Sequence, residues 1–169
     1  MFELLIMRHA KSDWNAPVSD YDRPLNKRGK KEAKQMGQYL NEIGLVPDKV
    51  ISSPALRAKA TAETVINHMG SGKDITFDRE LYMSGVETLL ENIRGYAQES
   101  KRLMLVAHNP GMDELVEYLC GYDLPLSDNG KLMTTATVAH VQVPGEDALD
   151  AAAMCDLIQL LRPKELFGT

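Results

Sequence analysis

The chain is apolar without interruption from Leu4 to Met7 and turns polar at once at Arg8 and His9. A run of that length with no polar alternation predicts a strand over 3–8 that is buried on both faces, as a central parallel strand is. "RLMLVAH" (102–108) repeats the design, an apolar strand ending in a histidine. Shorter apolar segments predict strands at "KVISS" (49–53), "DITF" (74–77) and "ATVAHVQV" (136–143), while "CDLIQLL" (155–161) fits a strand or a helix end.

Between these runs the apolar positions fall into helical spacing. Asn26 is suited to cap a helix running to about residue 44, with Ala33, Met36, Leu40 and Ile43 on one face and Gly44 as its stop. "PALRAKATAETVINHM" (54–69) opens with a proline suited to a first helical turn, "VETLLENIRGYA" (86–97) turns Leu89, Leu90 and Ile93 inward, and a further helix is predicted from about Met112 to Cys120. Residues 11–26 are polar, carry Pro17 and Pro24, and predict a long loop. Strands alternating with helices indicate an α/β sheet covered on both faces.

In such sheets ligands bind beyond the carboxyl ends of the strands. The first strand ends at Arg8-His9, the second runs into Ser52, Ser53 and Arg57, and the fourth ends at His108. If these strands are parallel neighbours, two histidines and two arginines share one rim. With 169 residues, the chain is expected to form one domain. Its formal charge of −5 argues against nucleic-acid and anionic-membrane partners, so any anion must be held by a local cluster. No segment has the length of a membrane span, and the four apolar residues before Arg8 are too few for a signal peptide, which makes the cytoplasm the expected compartment. Cys120 and Cys155 show no metal-ligand spacing and are expected to be buried free thiols.

Paired guanidinium forks suit the tetrahedral oxyanion of a phosphoryl group. A histidine beside them could ligate a metal, act as a base or act as a nucleophile. Adjacent arginines repel a cation and no carboxylate or cysteine sits at ligand spacing, so no metal or other cofactor is expected. A neutral imidazole whose second nitrogen is tied to a loop carbonyl can attack phosphorus, with the arginines offsetting charge on the oxygens.

"MRHAKSDW" (7–14) resembles the Arg-His-Gly/Ala signature of the histidine phosphatase superfamily, once named for phosphoglycerate mutase. With "DYDRPLNKRG" (20–29), "VISSPALRAKATAE" (50–63) and "LVAHNPGM" (105–112), the chain looks most like the SixA-type phosphohistidine phosphatases over nearly its whole length. The resemblance implies a three-layer α/β/α domain spanning 1–169, with a mostly parallel central sheet, an antiparallel edge strand, and 155–161 as a strand. It implies that His9 is the phosphorylated nucleophile and that Arg8, Arg57 and His108 complete the phosphate pocket. Asn15 falls where many members place an asparagine near the phosphate, and Ser12 and Lys11 are candidates to line the mouth. The partner implied is a phosphotransfer protein bearing phosphohistidine, with small phosphorylated metabolites second.

Many superfamily members use a carboxylic acid after the third strand to protonate an alcohol leaving group. The candidate here is Glu80 in "DRELY", and its surroundings match those enzymes poorly. Imidazole leaves phosphorus more readily than an alkoxide, so a weak acid candidate favours an N-phosphoryl substrate. The rivals are a phosphatase for small phosphate esters with Glu80 as acid and, in another class, a non-catalytic module that binds phosphoproteins. His68 reads as surface and His140 as structural. Met36, Met104 and Met112 read as core, and "KRGKKEAK" (27–34) reads as a solvated helix start able to touch an acidic protein.

Overall fold

Apolar strands that bury both faces must pair with neighbours through their backbone groups, and the segments read above do so in a single sheet. A computed structural model describes residues 1–168, so Thr169, the last residue of the expected domain span, lies outside the described residues. In chain order the elements are β1 (Phe2–Arg8), α1 (Lys27–Glu42), β2 (Lys49–Ser52), α2 (Leu56–Met69), β3 (Ile75–Phe77), α3 (Val86–Ala97), β4 (Arg102–Ala107), α4 (Gly111–Cys120), β5 (Val138–Val143), β6 (Asp156–Leu161) and α5 (Pro163–Phe167). Short 3-10 turns at Arg79–Leu81 and Glu146–Leu149 complete them.

Among the described residues the sheet has six strands in the order β3-β2-β4-β1-β5-β6. β1 pairs in parallel with β4, β4 with β2, and β2 with β3. β5 runs against both β1 and β6, so the antiparallel pairings lie at that edge of the sheet. The tail segment whose pattern fitted two structures is therefore a strand, β6.

Side chains of β1 alternate between two cores. Leu4 and Ile6 join Leu89, Ile93, Met112 and Leu115 of α3 and α4 on one face. Leu5 and Met7 join Ala33, Met36 and Leu40 of α1 and Ala62 and Val65 of α2 on the other. Met36, Met104 and Met112 are fully buried, as core residues should be. His140 is buried in β5, where Glu3 Oε2 lies 2.6 Å from its Nε2 and Gln159 Nε2 lies 3.2 Å from its Nδ1, consistent with a structural role. Cys155 is buried and Cys120 half-buried, and both are free; burial pushes the Cys120 thiol up to about 12 and the Cys155 thiol up to about 11. No helix among the described residues is long and apolar enough to cross a membrane.

Two boundaries differ from the sequence pattern for tertiary reasons. Pro54 stands ahead of α2 rather than in its first turn, because Ala55 keeps a non-helical ψ of 138°, with its N–H on Ser53 Oγ at 3.2 Å and the Leu56 N–H on Tyr21 O at 3.0 Å from the long loop. β5 begins at Val138, not Ala136, because Ala136 has φ of 61° and turns its N–H toward Arg8 O and His9 O, both at 3.1 Å. Asn26 caps α1 as expected, its side chain accepting from Gly29 N–H at 2.8 Å.

Helices α1 and α2 touch at Gly37, where an added Cβ would lie 2.5 Å from Val65 O. Gly37→Ala should therefore destabilise the protein by about 1–3 kcal/mol despite alanine's better helix propensity, a loss that urea denaturation would measure.

Candidate active site

Parallel register brings the three strand ends within one residue of a common level. Arg8 of β1 lies beside Ala107 of β4, Ser52 of β2 beside Val106, and the next residues, His9 and Ser53, donate their N–H groups to Ala107 O and Val106 O at 3.0 Å each. His9, Ser53 and His108 thus emerge together just past the sheet. Arg57 reaches the same place from the first turn of α2. Thr61, one turn further along that helix, accepts Ala10 N–H at 3.0 Å and donates to Arg57 O at 2.7 Å, joining the exit of β1 to α2.

The four residues are enclosed: His9 is 7% exposed, His108 3% and Arg57 2%, with Arg8 half-buried. The His9 and His108 rings lie 5.2 Å apart between centroids. His9 Nδ1 sits 2.7 Å from Ala10 O, an acceptor, which assigns the proton to Nδ1 and leaves Nε2 with a free lone pair. Burial, followed by the charges near His108, Arg57 and Arg8, pushes His9 down to about 3, although its bond to Ala10 works the other way. Burial and then Arg57 push His108 down to about 4. Both rings are neutral near pH 7. His108 Nε2 is 2.8 Å from Ser53 Oγ, while its Nδ1 is buried without a partner. Among the described residues the Nε atoms of Arg8 and Arg57 are buried without partners too. Such buried nitrogens, left without a partner among the described residues, are rare in folded proteins and call for an explanation.

Each arginine is aimed by a contact the sequence did not announce. Arg8 Nη1 donates to Met133 O at 2.9 Å, and Asn109 and Asp113 hold Met133 in turn. Arg57 is gripped by Asp20: its Nη1 donates to Asp20 O at 2.5 Å and its Nη2 to Asp20 Oδ2 at 3.0 Å. Tyr82 OH donates to the same oxygen at 2.5 Å, and Arg23 Nη1 donates to Oδ1 at 2.5 Å. The Tyr82 hydroxyl, then Arg23 and Arg57, hold the Asp20 carboxyl far below the usual carboxylate range. Tyr82 also lies edge-on to His108, with centroids 5.4 Å apart. Asp20 and Arg23 belong to a quoted segment, "DYDRPLNKRG", and Tyr82 to "DRELY", but in a loop without periodicity no spacing rule marks them.

The remaining candidates make no hydrogen bond to Arg8, His9, Arg57 or His108. Lys11, Ser12 and Asn15 line a neighbouring groove of about 460 Å³. Ser12 is buried and its Oγ accepts Arg23 Nε–H at 2.9 Å; Asn15 is exposed, with its N–H on Asp13 Oδ1 at 2.9 Å. Glu80 is exposed in the turn before Tyr82, its N–H bonded to Asp78 Oδ1 at 2.9 Å, and its side chain makes no hydrogen bond to the four central residues. On the opposite flank Arg8 lines a second groove, of about 540 Å³, with Asn109, Asp113 and Tyr122. Among the described residues no three His, Cys, Asp or Glu side chains are grouped to hold a metal ion.

Residues 4–82 match the model of the histidine phosphatase superfamily, branch 1. An uncharacterized protein of Mycobacterium tuberculosis (strain CDC 1551) is 30% identical over 143 residues, covering 82% of this chain and 88% of its own. Among solved structures, a candidate phosphohistidine phosphatase SixA from Agrobacterium tumefaciens has a TM-score of 0.80 at 29% identity, covering 96% of this chain and 99% of its own. The fold is also that of the protein histidine phosphatase SixA complexed with tungstate, with a TM-score of 0.82 at 23% identity and coverage of 98% and 99%. The chain belongs to the histidine phosphatase superfamily.

Proposed function

We propose that the protein is a metal-independent phosphohydrolase that removes the phosphoryl group from phosphohistidine in a phosphorelay protein, through a phosphorylated His9. The observation that carries this reading is the His9 ring itself: neutral, with its Nδ1 proton on Ala10 O and its Nε2 lone pair free among unsatisfied arginine and histidine donors. Nε2 attacks phosphorus while the bond from phosphorus to the substrate imidazole breaks. Arg8 and Arg57 offset charge on the equatorial oxygens, and His108, in the tautomer whose Nε2 accepts from the Ser53 hydroxyl, offers Nδ1–H to one of them. Phosphorylated His9 keeps its Nδ1 proton on Ala10 O, so it is a good leaving group when water attacks and departs as the neutral ring. The water's protons leave with phosphate.

The substrate class follows from the leaving group. An alkoxide needs a proton in the transition state, but the carboxyl closest to Arg57, Asp20, is held ionised, and Glu80 stands free in solvent. A phosphohistidine whose remote nitrogen is protonated expels neutral imidazole without an acid. The similarity to a candidate SixA at 29% identity supports the same choice.

Comparing a phosphohistidine-bearing phosphotransfer domain with aryl and sugar phosphates tests the substrate. Turnover of the phosphoprotein is expected to dominate; fast turnover of sugar phosphates alone, lost selectively in Glu80→Gln, would establish the ester reading instead. His9→Ala should lower turnover at least about 1,000-fold while circular dichroism stays native. Residual activity within tenfold would exclude His9 as the nucleophile.

Asp20→Ala frees Arg57 from its side-chain contact, and kcat/KM should fall about 10- to 100-fold, less than the loss expected for Arg57→Ala. A rise in kcat/KM would instead mean that Asp20 competes with the substrate for Arg57. The imidazoles also set a pH dependence. The unfolded chain takes up two protons near pH 6.5 that the folded protein does not bind until about 4 at His108 and about 3 at His9. Their contribution to stability is therefore fully present above 6.5 and declines as pH falls below it. NMR should find neither ring titrating between about pH 8 and 5.

A further inference from the structure

The groove beside the phosphate pocket has a charge and shape that the hydrolytic reaction does not require. Its lining includes Lys11, Trp14, Lys27 and Lys30, beginning two residues beyond His9. Its walls are built from backbone: Asp13 N–H donates to Pro24 O at 2.8 Å, Asn26 N–H donates to Lys11 O at 3.0 Å, and a Cβ on Gly29 would lie 2.1 Å from that same oxygen. The start of α1 is thereby set against the exit of β1, and its lysines face a rim that cannot easily move.

Two features of that rim lack a structural reason. Trp14 is 71% exposed, yet its ring lies under the Arg23 guanidinium, 3.6 Å from the centroid. Arg23 is itself fastened to Ser12 and to Asp20, the carboxylate that grips Arg57. A large apolar surface is thus held rigid in water, a feature of binding anchors, where little entropy remains to be lost. The second feature is charge. The first turn of α1 holds no acid, although the positive end of a helix dipole favours one, and the segment 27–34 carries Lys27, Arg28, Lys30, Lys31 and Lys34 in a chain of net charge −5. Arg28 pairs with Glu32, whereas Lys27 and Lys30 are exposed and form no ion pair among the described residues. Local cations set against both the helix dipole and the overall charge are out of keeping with stability alone.

We propose that the rim formed by Trp14, Lys27 and Lys30 is the docking surface for an acidic protein face surrounding the substrate's phosphohistidine. The inference rests on the phosphohistidine reading above and names what the partner must present: carboxylates toward Lys27 and Lys30, and an apolar contact for Trp14, while the phosphoryl group enters between Arg8 and Arg57. Charge complementarity of this kind steers encounter and selects among partners that carry the same phosphorylated residue. A net negative chain with one cationic rim suits a protein with a bounded acidic patch better than a continuous polyanion.

The test uses two substrates, free phosphohistidine and a phosphotransfer domain whose phosphohistidine is ringed by acidic residues. Lys27→Glu with Lys30→Glu places acids where the helix dipole accepts them, so folding should be unimpaired. The double variant should raise KM for the phosphoprotein at least about twentyfold with kcat unchanged, and leave kcat/KM for free phosphohistidine within about twofold. Wild-type KM for the phosphoprotein should climb as salt rises from about 0.05 to 0.3 M, and that of the variant should not. Trp14→Ala should raise the same KM, and a phosphotransfer domain with its acids changed to lysine should recover affinity for the double variant. An unchanged KM for the phosphoprotein, or equal losses on both substrates, overturns the docking surface. So does a loss confined to Tyr122→Ala, which would put the partner on the opposite flank. Hydrolysis of free phosphohistidine with none of the phosphoprotein overturns docking and the protein substrate but leaves the phosphohistidine chemistry standing. Unchanged hydrolysis of the phosphoprotein by the double variant overturns docking alone; hydrolysis of neither substrate overturns the phosphohistidine reading and the docking surface with it.

Discussion

The parallel hydrogen bonding of β1 to β4 and of β4 to β2 governs the whole rim. A parallel ladder fixes which residues stand level: with Arg8 beside Ala107, His9 and His108 leave the sheet at one height, and with Ser52 beside Val106, Ser53 leaves one residue below them. A slip of one residue in β1 would send Leu5 and Met7 to the opposite core and withdraw His9 from the pocket. The same burial that specifies the register thus specifies the position of the nucleophile. Leu4, Leu5, Ile6 and Met7 are fully enclosed, and each contributes about 1.5–3 kcal/mol toward keeping that strand where it is.

Around that frame the site is held in an electrostatically strained condition. Two neutral imidazoles share the pocket with two guanidinium groups, and among the described residues each arginine and His108 retains a buried nitrogen without a partner. Folding tolerates this because the arginines are satisfied at their other ends, Arg8 on Met133 O and Arg57 on Asp20. Those outer contacts also orient the forks before any anion arrives, which lowers the reorganisation a transition state would otherwise demand. Asp20 links this inner arrangement to the outer rim, since Arg23 joins it to Trp14. Occupancy of the rim and the posture of Arg57 therefore share one carboxylate.

The extent to which these features were legible in the sequence followed their range. The buried strands at 3–8 and 102–108 and the helix at 86–97 show in apolar period alone, because burial acts on every residue of a regular element. The cap at Asn26 shows because it is a contact across three residues. Pro54 lies ahead of the helix because Ala55 is held at a non-helical ψ, in a segment tied by Leu56 N–H to Tyr21 O, 35 positions back. Asp20 and Arg23 escaped for a related reason: a loop of 16 residues obeys no period, and only its folded path puts Asp20 on Arg57 and under the hydroxyl of Tyr82, which follows the 3-10 turn. Ser12 reads as a polar residue near the mouth, yet its hydroxyl is spent on Arg23 inside the protein.

By itself the sequence determined the order of strands and helices, the delivery of Arg8-His9 and His108 to strand ends, and the family signature in four separated segments. These depend on local period and on residue identity, which a linear chain carries in full. Tertiary structure alone decided that the three strand ends meet, that His9 is tied through Nδ1 to Ala10 and left neutral, and that Asp20 rather than solvent faces Arg57. Each of these requires groups far apart in the chain, or the exclusion of water by surrounding side chains. Neither proximity nor dielectric exists until the chain has folded.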